Sequence, residues 1–577
     1  MIWVLIGHRG VGKTTLARRA AELLGRPFLD LDEKIETDTG RSPLSWLAES
    51  EPKFRAVEIR TLREIAEPAV VALGAGIEAV PDSFGAIWIQ RIGWEDTARL
   101  RQPRIRRELT PEEEFEWMRA TREPRYAEWA DASLEIPRHE GPDRSSARLT
   151  ALIERLEASF GTELIRRSWW IGTPARVERQ AVRVRQIGAA GVEIRTDLFD
   201  SAPIGALRLD PDRALLSIRT SAGLDLLGCF RWTDIDARWA RVLPWKPQGT
   251  HILHSDHQAS LALPSFPSEA NDVKWAPAPA TFGDLKNYSS FGYDVRRRFQ
   301  SSTILPQTSH WTWLRILEAI RHNRWNYISG NAMPHEAGAP EWSTWGLYTH
   351  ATPAAKLYGL SGDPVASSLG PEFHNDFFRK KGRDAVYVSI PVPPDELEKA
   401  LNALSGLGFA GLSVTAPHKK AVLDLPNVQP DSLARRLGVT NTLRTDGAGG
   451  WHATNTDLTG MKTLLGKADL PALGRVLVIG KGGVSPAVAA ALQDRHTAFR
   501  HEGFRALQTD DKIWAEPWDL VINASGRDVR AGPRHKSAIW IDLRYGMQAS
   551  NDGGDTFLAG ETFFEAQAEE QHRFWGF

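Results

Sequence analysis

Residues 1–15 read MIWVLIGHRGVGKTT, an apolar run that breaks at Gly7 into Gly7-His8-Arg9-Gly10-Val11-Gly12-Lys13-Thr14. The spacing is GxxxxGK(S/T), between an expected strand (2–6) and an expected helix (14–24). In that setting the glycines, Gly10 and Gly12 among them, let backbone N–H groups turn inward onto phosphate oxygens. Lys13 is placed to reach the β- and γ-phosphates, and Thr14 to help hold Mg²⁺, with Thr15 beside it. A glycine-rich turn that binds nothing is the bland alternative, and the complete motif disfavours it.

Outward from this loop, helix–strand alternation continues to a helix near 145–159, so 1–160 reads as a nucleotide-binding α/β domain. A second block, 165–347, carries short apolar runs (191–194, 215–218, 251–253) followed by polar residues. That pattern suits barrel strands delivering side chains to one rim. The third block, 352–577, divides at about 460. There RVLVIG meets a second glycine turn, Gly480-Lys481-Gly482-Gly483, placed to bring a pyrophosphate to a helix N-terminus. The expected class is therefore α/β multidomain: a P-loop domain, a degenerate (β/α)8-like barrel, and a two-lobed α/β protein with a substrate lobe (352–460) and a Rossmann lobe (461–577).

Bulk properties agree. The chain has 577 residues, and at about 150 per domain it needs three or four cores. A formal net charge of -1 predicts neither nucleic-acid nor membrane binding, and the N-terminal apolar run is too short for a signal peptide or a span. Cys229 is the single cysteine, which rules out an intramolecular disulfide and a cysteine-rich zinc site and suits a cytoplasmic protein. The 22 tryptophans are expected as core or interface anchors.

The first block resembles shikimate kinase through FLDLDEKIE, TGRSPLSWLAESEPKFRAVE, ALGAGIE and REPRYAEWAD. The resemblance implies ATP and Mg²⁺, with Asp30 near the metal beside Thr14. It implies Asp32 on the acceptor hydroxyls, and Arg55, Gly76 and Arg122 around the acceptor carboxylate. The alternative for Arg55 is a surface ion pair with Glu51 or Glu58. The family's triple glycine reads Gly74-Ala75-Gly76. Its lid arginine falls on Arg101 or Arg104, around Gln102-Pro103.

The middle block resembles type I 3-dehydroquinate dehydratase. VEIRTDLF supplies Glu193, Arg195 and Asp197, SIRTS supplies Arg219, ILHSDHQ supplies His257 as general acid/base, and NDVKWAP supplies Lys274 as the Schiff-base lysine. The family's glutamate after the arginine falls on Gly223, its late Ser-Arg has no counterpart near 338–344, and the 219–257 spacing is compressed. A barrel that only joins its neighbours is the rival reading.

The third block resembles shikimate dehydrogenase. YGLSGDPVASSLGPEFHN places Ser368 at the first carboxylate serine and Gly370 at the second. GLSVTAPHKKAV supplies Thr415 and the catalytic Lys419, with Ser413 where the family has asparagine. GVTNTL supplies Asn441, ATNTDLTG the catalytic Asp457, and GETFFEAQAEEQ the substrate-side Gln567. Gly480, Gly482 and Gly483 form the cofactor turn. About twenty residues on, Phe499-Arg500-His501 lacks an acid, and Arg500 suits a 2′-phosphate, so NADP(H) is expected.

The order is similar to the C-terminal part of fungal pentafunctional aromatic-biosynthesis proteins. It implies a multifunctional shikimate-pathway enzyme on small-molecule substrates (shikimate, 3-dehydroshikimate, and 3-dehydroquinate if the barrel is active), with a homodimer left open. The alternative is a quinate-pathway repressor-like regulator that binds the metabolites without turnover, suited by Ala75, Gln102, Gly223, Gly370 and Ser413.

Overall fold

The structure, a computed structural model, describes residues 1–93, 108–137, 140–199, 204, 207–236, 239, 250–268, 270–330, 338–366, 368–467, 475–495, 497–505, 513, 518–527, 529, 539–544 and 557–577. It divides into two compact units, one built mainly from residues up to Pro353 and the other mainly from Ala354 to Phe577.

The first unit opens on a wholly parallel sheet of β1 (Trp3–Ile6), β2 (Phe28–Asp30), β3 (Val70–Ala72), β4 (Gly85–Arg91) and β5 (Ala132–Ile136), in the order β2-β3-β1-β4-β5. Every residue of β1 is buried, as expected where helices cover both faces of a parallel sheet. On one face Val4, Ile6, Val71 and Ala86 pack against Leu31, Ile35, Phe54 and Leu62. Strand order reverses at β1, so the glycine loop at its end opens into the crevice where such sheets bind ligands.

The same unit contains a second, eight-stranded sheet. Its strands are β6 (Ser168–Ile171), β7 (Gly191–Arg195), β8 (Ala214–Ile218), β9 (Trp232–Asp236), β10 (His251–His257), β11 (Asp272–Ala276), β12 (Ser301–Ile304) and β13 (Asn326–Ile328). All pairings are parallel. β13 returns to β6, giving the order β12-β11-β10-β9-β8-β7-β6-β13, a nearly closed barrel. Its degeneracy is visible between β8 and β9, which are joined by a 3-10 segment, Ser221–Leu226.

One barrel helix, Val177–Ile187, with Arg176 at its N-cap, packs on the first sheet. Arg183 reaches Asp131 through Nε (3.0 Å) and Nη2 (2.9 Å). Arg179 donates to the Phe84 carbonyl at 2.9 Å, and Arg176 to the Ala130 carbonyl at 2.7 Å. Asp131 also accepts the Ala86 N–H. All of these side chains are buried, and buried charge of this kind persists only when paired. Tryptophans anchor the same junction: Trp3 stacks on Trp342, whose indole N–H donates to Ser159 Oγ.

The second unit holds two sheets. A mixed sheet is built from β14 (Lys356–Gly362), β15 (Ala385–Pro391), β16 (Phe409–Val414), β17 (Val428–Pro430), β18 (Thr442–Thr445) and β19 (Trp451–Thr454), ordered β15-β14-β16-β18-β19-β17. A parallel Rossmann-like sheet follows: β20 (Val476–Ile479), β21 (Phe499–Glu502), β22 (Leu520–Asn523), β23 (Ile539–Asp542) and β24 (Phe557–Ala559), ordered β21-β20-β22-β23-β24. The helices Asp457–Lys467 and Glu561–Trp575 approach so closely that a Cβ at Gly460 would sit 2.7 Å from the Phe563 carbonyl. That contact carries Gln567 to the start of the Asp457 helix.

Candidate active sites

In the glycine loop, Gly10 and Gly12 take positive φ (90° and 98°), which lets the chain fold its N–H groups inward. Gly12 caps the helix Lys13–Leu24. Lys13 Nζ folds back on the carbonyls of Gly7 (2.8 Å) and His8 (3.0 Å). Thr14 Oγ1 donates to Asp30 Oδ2 at 2.8 Å, while Asp30 Oδ1 caps the next helix through the Asp32 N–H. A hydroxyl and a carboxylate side by side suit a hard divalent ion that takes its remaining oxygens from phosphates and water. A cavity of about 370 Å³ lies here, lined by Arg9, Lys13, Thr14, Asp30, Asp32 and Gly74 among others. Burial and the neighbouring Asp30 raise the Asp32 carboxyl above its usual range, against the pull of Lys13.

Across the cavity, Arg55 donates to Glu58 at 2.6 Å and to Glu51 at 3.0 Å. The expected alternative of an Arg55 ion pair is therefore present, but it is not a surface pair: Arg55 is 9 % exposed and Glu58 fully buried. Burial pushes the Glu58 carboxyl up to about 7 despite Arg55. A Cβ at Gly76 would overlap the Arg55 guanidinium, and one at Gly74 would sit 3.1 Å from Glu58 Oε1 and 3.4 Å from Asp32 Oδ1. Those two glycines thus leave room for three charged side chains around one spot. Arg122 is 6 % exposed, and its Nη1, like Arg55 Nε, has no partner among the described residues. The sequence offered Glu58, at i+3 from Arg55, only as a surface ion-pair partner; its burial at the site was not foreseen. The lid candidates Arg101, Gln102 and Arg104 lie outside the described residues.

The barrel interior gathers Glu193, Ser217, Arg219, Asp234, Ser255, Lys274 and Tyr327. Lys274 is ion-paired with Asp234 and lies 3.3 Å from the Tyr327 hydroxyl. Arg219 donates to Asp234 at 2.7 Å and to Ser255 Oγ at 3.1 Å, and Ser217 donates to Glu193 at 2.5 Å. Burial alone would raise the Asp234 carboxyl, but Arg219 and Lys274 hold it well below the usual carboxylate range. Burial lowers the Lys274 ammonium, against Asp234. His257 sits two residues beyond Ser255 at the end of β10. Burial, and then the cations Arg219 and Lys274, lower its pKa well below the usual value, although the residue as a whole is exposed at the strand end. Arg195 pairs with Asp197 at 2.6 Å and lies close enough to Arg219 and His257 for its charge to act on both. A Cβ at Gly223 would meet Thr196 Cγ2 at 2.6 Å, so Thr196 occupies the space where the resemblance placed a glutamate. Asp234 was missed; its signal was a carboxylate at an inward position of WTDID, on a strand too short to stand out.

In the second unit, Lys419 Nζ donates to Asp457 Oδ2 at 2.6 Å. Asn441 Nδ2 donates to Asp457 Oδ1 at 2.7 Å and to Gln567 Oε1 at 3.2 Å. Four residues from four separate motifs thus form one connected network. Gln571, missed in the sequence, accepts from Ser413 Oγ at 3.0 Å. Thr415 is half-buried, and its N–H donates to the Ser361 carbonyl. Ser368 Oγ accepts the Gly370 N–H at 3.0 Å. A side chain at Gly370 has little room: its Cβ would lie 3.1 Å from the Tyr387 ring and 3.3 Å from the Tyr387 hydroxyl.

The second glycine turn follows β20. Gly480 has φ 111°, and a Cβ there would meet Ser525 Cα at 2.7 Å, whereas Gly482 faces open space. A Cβ at Gly483 would sit 2.8 Å from Lys419 Cδ. The turn therefore lies against the Lys419–Asp457 pair, with one open face suited to a pyrophosphate. The expected absence of an acid on the second strand needs correction. β21 runs on to Glu502, whose carbonyl accepts the Gly480 N–H at 2.8 Å, and Arg500 Nε donates to Glu502 Oε1 at 2.7 Å. Strand register, which spacing alone does not fix, puts Glu502 and not Phe499–His501 level with the turn.

Residues 9–140 match the family model described as shikimate kinase, and residues 360–443 the model described as shikimate dehydrogenase substrate binding domain. Neither match extends into the barrel. A shikimate dehydrogenase (NADP(+)) of Anaeromyxobacter dehalogenans is 42% identical over 144 residues, covering 25% of this chain and 51% of the relative. One of Methanosarcina mazei is 40% identical over 138 residues, covering 24% and 49%. The chain thus spans about half the length of the curated relatives it matches. Among solved structures, shikimate dehydrogenase of Aquifex aeolicus is 24% identical with a TM-score of 0.35, covering 38% of this chain and 92% of its own. The Thermus thermophilus enzyme in complex with NADP(H) and shikimate is 24% identical with a TM-score of 0.34, covering 38% and 93%.

Proposed function

We propose that the chain is a multifunctional shikimate-pathway enzyme that phosphorylates shikimate with ATP and reduces 3-dehydroshikimate with NADPH. The observation that carries this reading is the contact of Gly483 with Lys419, which brings a dinucleotide turn against a lysine–aspartate pair. The buried guanidinium nitrogens of Arg55 and Arg122 support the kinase half, because a buried cation without a full set of partners calls for an anion.

At the first site, Mg·ATP supplies the phosphoryl group and the divalent charge that balances it. Lys13 and the loop N–H groups would hold the phosphates, and Thr14 and Asp30 would offer oxygen ligands to the metal. Arg55 and Arg122 grip the acceptor carboxylate. Asp32 orients the attacking hydroxyl and accepts its proton. At the last site, a bound nicotinamide would supply hydride to the carbonyl carbon. Lys419 delivers a proton to the oxygen, and Asp457 keeps the ammonium aimed there. Asn441 and Gln567 hold the neighbouring hydroxyls, while Ser368 and Thr415 meet the carboxylate side.

Dehydration of 3-dehydroquinate through an imine on Lys274 is the third activity of this reading. Burial supports it by favouring a neutral amine, and His257, kept neutral by burial and by the cations Arg219 and Lys274, serves as the general acid/base. Asp234 Oδ1 has no partner among the described residues, as a group reserved for a ligand would.

The test uses the full chain: shikimate-dependent ADP formation, shikimate-dependent NADPH formation, and 3-dehydroshikimate formation from 3-dehydroquinate. Metabolite binding without turnover at both ends would establish the regulator instead.

A further inference from the structure

We infer that Glu502 holds the ribose diol of the dinucleotide's adenosine half, so that the last site takes NAD(H) as well as NADP(H). The inference rests on reading the Rossmann-like sheet as the dinucleotide lobe. In that architecture the adenosine ribose lies beyond the end of the second strand, beside the glycine turn, and an acid there accepts hydrogen bonds from the 2′- and 3′-hydroxyls.

Glu502 meets each requirement. It is the last residue of β21, paired in register with Ile479, the residue before Gly480. Its carbonyl receives the Gly480 N–H at 2.8 Å, which ties strand end and turn together. It lies 22 residues after Gly480. His501 Nε2 lies 2.5 Å from the Gly480 carbonyl, so the neighbouring side chain braces the turn, and Glu502 and Arg500 share the other side of the strand.

The charge arrangement points the same way. A 2′-phosphate placed here would meet the Glu502 carboxylate at close range, and like charges at that separation repel. The cation expected to receive that phosphate, Arg500, spends its Nε on Glu502 at 2.7 Å. A bare ribose needs no such cation: two hydroxyls donate to one carboxylate, whose remaining charge Arg500 balances. NADP(H) is accommodated only when Arg500 turns from Glu502 to the phosphate.

Steady-state oxidation of shikimate by the full chain tests this, with NAD⁺ and NADP⁺ compared at saturating shikimate. The expected result is kcat/KM for NAD⁺ within about tenfold of that for NADP⁺. In E502Q, kcat/KM for NAD⁺ is expected to fall at least about tenfold while that for NADP⁺ holds or rises. Shikimate-dependent ADP formation by the same preparation should be unchanged, which controls for folding. NAD⁺ poorer than NADP⁺ by more than that margin, or an NAD⁺/NADP⁺ ratio that E502Q leaves unmoved, overturns the assignment of Glu502. Absence of turnover with either dinucleotide sinks the dehydrogenase reading instead. The ribose assignment is then decided by calorimetric titration of NAD⁺ and NADP⁺, where E502Q must weaken the first selectively.

Discussion

Arg183 of the barrel grips Asp131 beside the phosphate-binding sheet with two hydrogen bonds, and both side chains are buried. Asp131 begins two residues after the helix Pro111–Trp129, which carries Arg122. The barrel thus fixes the far end of the helix that carries the buried Arg122, whatever chemistry the barrel itself performs.

Breaking that pair strands a buried charge. D131A and R183A are each expected to destabilise the first unit by about 3–5 kcal/mol. The double variant should lose less than the sum, because the second substitution removes the charge the first left unpaired. Urea unfolding of the four proteins of the cycle measures this. Additive losses would show that the two residues do not act as a pair.

Glu58 is expected to give the Arg55 site a pH dependence. Its folded-state pKa, about 7, lies above the ordinary carboxylate value. Above pH 7 it is ionised and neutralises Arg55. As pH falls through 7 it binds a proton, and Arg55 offers its full charge to an anionic acceptor. KM for shikimate is expected to drop several-fold from about pH 8 to pH 6 while KM for ATP stays level. E58Q should flatten the shikimate profile. By linkage, a raised carboxyl pKa stabilises the fold below the unfolded value of about 4.5, and this contribution is lost as pH rises through 7.

Lys419 and Asp457 are expected to act as a unit. K419M should lower kcat of shikimate oxidation by about 10²–10⁴ with KM for shikimate little changed. D457N should weaken both parameters, since Asp457 also binds Asn441. G483A should push the Lys419 chain aside and lower kcat. Unchanged kcat in G483A would separate the turn from the lysine.

The two ends differ in their need for a divalent ion. Chelation by EDTA is expected to abolish ADP formation and to leave NADPH formation intact, because Thr14 and Asp30 are offered as metal ligands while the Lys419 network uses only protein donors. Restoration by Mg²⁺ completes the test.

Both glycine turns, the barrel lysine and the Lys419 and Asp457 motifs were legible in one dimension, because each depends on residue type at short spacing. The phosphate loop could be read from eight consecutive residues, since its backbone geometry follows from where glycine stands. Asp234 and Glu502 were not legible in that way, and Glu58 was legible only as a surface partner of Arg55. Each acts through a partner fixed by strand register or by burial: Asp234 through Lys274 two strands away, Glu58 through the space left by Gly74, and Glu502 through its level with Gly480.

By itself, then, the sequence determined the succession of α/β blocks and the two loops that cradle phosphates, because helix and strand periods and glycine's conformational freedom are local properties. Tertiary structure alone decided which charges face one another: that Lys274 meets Asp234, that Arg55 is buried with Glu58, and that Arg500 is shared with Glu502. Electrostatic interaction depends on distance through space and on exclusion of water, and neither is written in the spacing of residues along a chain.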